Sequence, residues 1–416
     1  MRFSGEESQM VLRRKLASGM CALVLVVSVS AAVSTASSSI ASANTKPTGA
    51  PIKIGMLCSC SGAGGFGAFI LPAKQVLQAW VNNVNSSGGI DGHSVQLIAE
   101  DDTGNPGTAA SEIQTLISDH VIAIADASVV DAVIASTVQA AKIPVVGVES
   151  PNGPFGTNPD FYPEAQTNAS AIYAVIKTAK QAGATNLANV YCAESPDCAQ
   201  SVPPFEATGK QLGLPVTYNA EVSATAPNYT AQCVAAQQQH VSAVFIGDAS
   251  VIIARIATDC AQQGYNPIYI TEGAGFGLAE ASAPGLKTNL WTEFPAIPFF
   301  AKTPAVNAAN AAIKKYYPAL VKTSNIFYSE TGFMSWVSGM LLETALKAGG
   351  ITSKGTPTSA EVTRGLNSLK GTTLDGLTVP LTFTAGKPHN VSCWFTARMQ
   401  NGTPKLVKSG QVSCEK

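Results

Sequence analysis

Charge is scarce in this sequence: 26 Lys and Arg stand against 27 Asp and Glu in 416 residues, a formal net charge of −1. With the two signs balanced and dispersed there is no basic stripe to neutralise phosphates, which argues against nucleic acid as a partner. Histidine is scarcer still, at four (His93, His120, His240 and His389), and no G-x-S-x-G elbow presents a serine. A Ser-His-acid triad has little to be built from, and the chain is not expected to be an enzyme. No C-x-x-C repeat is present, and neither a metal nor a cofactor is expected. Past residue 43 no stretch is apolar over the roughly 20 residues that a bilayer span takes.

What is present begins with a leader. Arg13, Arg14 and Lys15 precede a mostly apolar run over 21–33, and Ser/Thr-rich sequence then ends in Ala41-Ser42-Ala43. That order is a secretory signal peptide over 1–43 with an A-x-A cleavage site, which places the mature N-terminus near Asn44 and the protein outside the cytoplasm. An uncleaved anchor is the competing reading, disfavoured by the shortness of the run. Met10 is a second candidate start. Removing the leader takes away four basic and two acidic residues and leaves 22 and 25, a net charge of −3. The remaining 373 residues suit two domains at about 100–200 residues each.

Nine cysteines become eight once Cys21 is removed, an even number in an oxidising compartment, which favours disulfides. The expected pairs are Cys192 with Cys198, Cys233 with Cys260, and Cys393 with Cys414. Cys58 and Cys60 are left as a fourth pair. A bridge across one intervening residue is strained, so a reduced or differently paired state competes there, with metal ligation as a third reading.

From Ile52 onward, short apolar runs alternate with amphipathic ones. Strands are expected over 52–57, 95–99, 121–125 and 143–148, with helices over 71–85, 108–119 and 131–141 between them. A second series follows from Thr167: helices over 168–181, 200–212, 229–239 and 251–263 alternate with strands over 187–191, 216–222, 243–246 and 268–271. Strand–helix alternation implies parallel sheets with right-handed crossovers, and continuous apolar strands imply helices on both faces. After Leu290 the pattern changes to helices over 305–317, 327–348 and 359–369, then a strand-like tail with an Asn401-Gly402 turn of the hairpin type.

Ligands of such sheets bind at loops leaving the carboxyl ends of strands. The first of these loops, 59–67, carries Gly62, Gly64 and Gly67 in G-x-G-x-x-G spacing. As a dinucleotide fingerprint it is weak, because the acid expected about 20 residues on is displaced to Glu100, Asp101 and Asp102. Amides and serine hydroxyls near a helix start suit a carboxylate better.

Gly88-Gly89-Ile90-Asp91-Gly92, followed by Glu100-Asp101-Asp102 with Asn105-Pro106, resembles the G-G-I-x-G and D-D-x-x-x-P elements of the branched-chain amino-acid-binding (leucine/isoleucine/valine-binding) family. Members are periplasmic substrate-binding proteins of ABC transporters. The resemblance continues through Lys142-Ile143-Pro144-Val145-Val146, Asn228-Tyr229-Thr230, Gly264-Tyr265 and Thr271-Glu272-Gly273-Ala274-Gly275. It implies an α/β type-I periplasmic-binding-protein fold, two doubly wound parallel-sheet lobes joined by a hinge. Lobe 1 would take 51–166 plus 298–371, and lobe 2 would take 167–297 plus 372–416.

The same resemblance implies the site. Phe66 matches an aromatic side chain packed on the ligand. Ser128 and Val129, with Ser150 and Pro151, match the loops that hold a ligand carboxylate. Glu272 matches the acid that pairs with a ligand ammonium. Read from the residues alone, Glu272 lies at a strand end before a Gly-rich turn, where a buried acid needs a cation and a solvated loop carboxylate is the alternative. Asp126 and Asp131 read as helix caps. Two departures stand out: Val129 occupies a place where the family offers a hydroxyl, and Asp197-Cys198 replaces a Tyr-Gly pair. The function implied is capture of a small amino-acid-like ligand, a branched-chain amino acid or related amide, for an ABC transporter permease, by a monomer. A ligand-sensing ectodomain and an exported amidase or oxidoreductase are the rival readings.

Overall fold

The computed structural model describes residues 46–62, 66–147, 153–194, 196–322, 325 and 328–415. The leader lies outside the described residues. Among them, no helix is long and apolar enough to cross a membrane.

The first half of the chain winds β1 (Gly49–Cys58), α1 (Phe66–Ser86), β2 (His93–Asp101), α2 (Pro106–Ser118), β3 (Ala123–Ala127), α3 (Ala135–Ala141), β4 (Val145–Gly147) and β5 (Phe161–Pro163). The strands form one parallel sheet in the order β2-β1-β3-β4-β5. Local chemistry sets the ends: Asn105 caps α2 by accepting from the Gly107 amide at 2.8 Å and the Thr108 amide at 3.1 Å, with Pro106 opening the helix. An N-cap acceptor with proline at N1 satisfies donors that the helix cannot.

The second half repeats this winding with α4 (Asn168–Gln181), β6 (Leu187–Cys192), α5 (Pro196–Gln200), α6 (Val202–Gln211), β7 (Val216–Val222), α7 (Thr230–Gln238), β8 (Ala243–Gly247), α8 (Ser250–Gln262), β9 (Ile268–Glu272), α9 (Leu278–Ser282) and β10 (Leu290–Phe294). Its parallel strands run β7-β6-β8-β9-β10, the same order as the first sheet. Each sheet therefore has a switch point, between β1 and β3 and between β6 and β8, where loops diverge to opposite faces and leave a crevice.

The chain then returns to the first sheet. α10 (Pro304–Tyr316) and α11 (Glu330–Ala348) pack on α1, and α12 (Ser359–Ser368) packs on α11. α11 is apolar on nearly every side and buries 14 of its 19 residues, among them Phe333, Trp336, Leu341 and Leu342. A helix without a polar face belongs inside a core. It approaches α1 so closely at Gly339 that a Cβ there would lie 2.3 Å from the Trp80 ring. Short strands β11 (Lys370–Thr372) and β12 (Leu381–Thr382) pair with each other. β13 (Cys393–Gln400), β14 (Thr403–Leu406) and β15 (Ser413–Cys414) then complete the second sheet.

Four details depart from the sequence reading. The second sheet is mixed, because β13 pairs antiparallel with β10 and turns into β14 through Asn401 (φ 50°) and Gly402 (φ 75°), both in the left-handed region that a two-residue hairpin requires. α1 starts at Phe66 with Pro72 inside it, a break that packing of Pro72 against Gly332 of α11 offsets. The run 131–141 is a 3₁₀ turn over Asp131–Ile134 followed by α3. β5, only three residues long, falls below what periodicity resolves.

Three chain segments cross side by side between the two sheets. The first follows β5, the second follows β10, and the third leads into β13. The Ile297 amide donates to the Leu377 carbonyl at 2.8 Å, and Tyr162 stacks on His389 at 4.7 Å and meets Phe383 edge-on at 5.2 Å.

The cysteine sulfurs are joined in four pairs: Cys58–Cys60 at the exit of β1, Cys192–Cys198 at the exit of β6, Cys233–Cys260 between α7 and α8, and Cys393–Cys414 between β13 and β15. Replacing Cys233 and Cys260 together by alanine should cost about 2–4 kcal/mol of stability by freeing the unfolded chain. Gly339→Val should cost about 1–3 kcal/mol or more by driving α11 off Trp80. Both are read from chemical denaturation midpoints.

Candidate functional site

The exits of β1, β2 and β3 are tied together by one carboxylate. Asp102 is fully buried and accepts from the Ser59 hydroxyl at 2.6 Å, from the Gly104 amide at 2.7 Å and from the Ser128 hydroxyl. The two serines in turn accept from the next loop: the Val129 amide donates to Ser59 Oγ at 3.1 Å and the Val130 amide to Ser128 Oγ at 3.0 Å. A buried carboxylate with three donors is satisfied without a cation and holds its loops rigid. Ser128 and Val129 thus come to the switch point of the first sheet, but their hydroxyl proton and amide are already committed inside the network.

Asp126 and Asp131 lie beside it, both buried. Asp126 Oδ1 accepts from the Ser128 amide at 3.2 Å. Burial, then the charge of Asp131, push its carboxyl well above the usual carboxylate range, since two carboxylates in one dry site cannot both ionise. Asp131 is not the cap of the turn it opens. That position belongs to Val130, which has no capping side chain. Ser150 and Pro151 lie outside the described residues, and Phe66 is the first residue of α1.

The second sheet brings a different set to its own strand ends. Glu272 closes β9 and stands in register with Glu293 on the neighbouring parallel strand β10, so the two carboxylates leave the sheet on one face. Glu272 is half-buried, and among the described residues no donor or cation engages it. Burial pushes its carboxyl up to about 7. Glu293 is 2% exposed and accepts from Gln166 Nε2 at 2.8 Å. Burial, then the charge of Glu272, push it up to about 8 against the pull of hydrogen bonds from Gln166 and the Gly273 amide.

Gly273 is required by this packing: a Cβ there would lie 2.6 Å from the Phe294 ring and 2.7 Å from the Glu293 carbonyl. Neither Glu293 nor Gln166 was visible as a site residue in the sequence. The sequence shows a strand over 268–271 and an extended run over 291–300, and only the register places Glu293 beside Glu272.

Between the sheets, the start of α11 meets the loop leaving β9. The Glu330 amide donates to the Phe276 carbonyl at 2.9 Å, and Thr331 Oγ1 donates to the Ala274 carbonyl at 2.7 Å. Phe276, Phe294, Phe299, Phe300 and Tyr328 pack there ring to ring, with centroids 5.3–6.2 Å apart. All but Phe300 are buried, so this cluster is core at the crossing.

An open cavity of about 460 Å³ lies apart from these strand ends, between α8 and α9. Its charged residues have structural work: Arg255 donates to the Ala224 and Ala226 carbonyls and covers the Tyr229 ring at 5.0 Å, while Asp259 accepts from the Tyr229 amide at 2.8 Å. Among the described residues, no group of three or more His, Cys, Asp or Glu is arranged to hold a metal.

A search of curated proteins finds no match. A structure of a branched-chain amino acid ABC transporter from Thermus thermophilus with bound valine superposes with a TM-score of 0.75 at 14% identity, covering 87% of this chain and 97% of that one. A fatty acid ABC transporter substrate-binding protein from Thermomonospora curvata gives 0.70 at 16% identity, covering 87% and 92%. A solute-binding protein from R. palustris in complex with benzoate gives 0.69 at 15% identity, covering 88% and 98%. Likeness at these identities is likeness of fold, the type-I periplasmic-binding-protein fold. A family model described as periplasmic binding protein matches residues 51–404, and the chain belongs to that family.

Proposed function

We propose that this protein is the extracytoplasmic solute-binding component of an ABC importer, holding a small amino-acid-like ligand between two lobes and handing it to a membrane permease. The lobes would be 51–166 with 298–371, and 167–297 with 372–416, delivered outside the cytoplasm by the 1–43 leader. The observation that carries the reading is Glu272, an acid at a strand exit of the second sheet with no cation among the described residues. A ligand ammonium supplies that missing charge, and a charge-assisted pair in a partly dry site is worth more than one in water.

The ligand head is then held chiefly from the second sheet. Phe66, with Ser128, Val129, Ser150 and Pro151, would line the first-sheet side, where the Asp102 network fixes the loop that carries Ser128 and Val129. Contact with both sides is what favours a closed state, since a ligand shifts an equilibrium only by its difference in affinity for the two forms.

A thermal-shift screen of the mature protein against L-leucine, L-isoleucine, L-valine, benzoate and a fatty acid tests the class. Branched-chain amino acids should raise the Tm, by an amount equivalent to about 2.7 kcal/mol at a hundredfold excess over Kd. A rise with benzoate or fatty acid alone would overturn the amino-acid reading. Glu272→Gln should weaken the bound amino acid at least about tenfold, because the ammonium loses its counter-charge. An unchanged Kd by calorimetry would remove Glu272 from the site.

A further inference from the structure

Glu293 has no role in the reading above, yet it is placed to act on it. Its Cα stands opposite that of Glu272 in the β9–β10 register, and its carboxylate receives the Gln166 amide from the first crossing segment. Gln166 precedes α4, while Glu293 precedes the second crossing by one residue, Phe294. One hydrogen bond thus joins two of the three crossing segments at the point where Glu272 leaves the sheet.

Among the described residues no cation answers this pair. The charged groups on the elements packed against β9 and β10 are Lys177 and Lys180 on α4, Arg398 on β13, Asp248 after β8, Glu164 in the first crossing and Glu415 beside α4. Lys177 lies over the Tyr173 ring, Lys180 donates to the Leu212 carbonyl, and Arg398 lies over Trp291. Asp248 accepts from the Ala249 amide, Glu164 from Ser338 and Glu415 from Ser170. Directly across β13 from Glu293 stands Thr396, which is neutral. Of two acids side by side without a base, one keeps its proton until a positive charge arrives.

We propose that Glu293 is a positioning residue of the ammonium subsite: with the cleft empty it keeps a proton beside Glu272, and a cationic ligand head displaces that proton to solvent. This inference rests on the assignment of Glu272 to the ligand ammonium. It narrows the ligand to one whose head carries a single positive charge, since the pair gains one negative charge for each proton it gives up. The upward displacement of both carboxyls from the ordinary range agrees with a retained proton. The sign follows from linkage: a group that binds its proton more tightly before ligand arrives makes affinity rise with pH.

The test uses the mature protein with L-leucine as probe, titrated by calorimetry in phosphate and in Tris between pH 7 and 8.5. In the wild type the association constant should rise more than about fivefold over that range, with proton release seen as a difference between the two buffers. In Glu293→Gln, where Glu272 alone titrates, the rise should shrink to about twofold. A wild-type slope retained in Glu293→Gln overturns the inference, while loss of leucine binding in Glu272→Gln leaves the assignment of Glu272 standing.

If L-leucine does not bind, the ligand-free protein still decides. Acids with raised folded-state pKa values lend stability at low pH that is lost as pH climbs through them. The Tm of Glu293→Gln relative to wild type should therefore increase steadily from pH 6 to 9, and a constant difference overturns the retained proton. Should Glu293→Gln fail to fold, Glu272→Gln carries the same ligand-free measurement from the other side of the pair.

Discussion

Taking a carboxylate out of water without giving it a cation leaves three outcomes: donors are gathered around it, it keeps a proton, or it waits for a positive charge from outside. The strand ends of this protein use all three. Asp102 is the first case, with two hydroxyls and an amide arranged so that the loops after β1, β2 and β3 cannot move independently. Asp126 beside Asp131 is the second: burial, then the neighbouring charge of Asp131, hold the Asp126 carboxyl well above the usual carboxylate range. Glu272 beside Glu293 is the pair for which we propose the third, and Glu272 is half-buried where Asp102 and Asp126 are buried. One ion pair, between Lys347 and Glu343 on the outside of α11, is present among the described residues. Low overall charge is therefore not an incidental feature of composition. It is the condition under which buried acids remain unanswered.

The topology explains why these acids gather where they do. Both sheets run in the order that places a switch point beside their first strand, and both send their carboxyl ends into loops. A strand end is where backbone amides become free and where side chains stop being packed between helices. It is also where a polar residue costs least to bury and is most useful. The crossing segments are tied to their neighbours by contacts that include the Gln166–Glu293 pair, the Ile297–Leu377 hydrogen bond and the Tyr162–His389 stack.

Much of the fold was legible from periodicity. The helix over Asn168–Gln181 and the strand over Val216–Val222 have the bounds that the sequence pattern predicts, because an uninterrupted amphipathic face and a tight turn on either side leave no other solution. Where periodicity is short it misled: β5 has three residues, and the 3₁₀ turn at Asp131 imitates the start of a longer helix. The tail read as strands with a hairpin turn, yet its partner β10 lies about a hundred residues away, and nothing local specifies which edge an antiparallel hairpin will extend.

The sequence by itself determined the class of architecture, the doubled winding, the turn at Asn401-Gly402 and the candidacy of Glu272 as an acid at a strand exit. Those follow from local propensity and from the period of apolar residues, which each segment carries within itself. Only the tertiary structure decided that Ser128 is bound to Asp102, that Asp131 is not a cap, and that Glu293 and Gln166 belong beside Glu272. These facts depend on strand register and on which segments cross, and register is set by the packing of whole sheets, which no single segment encodes.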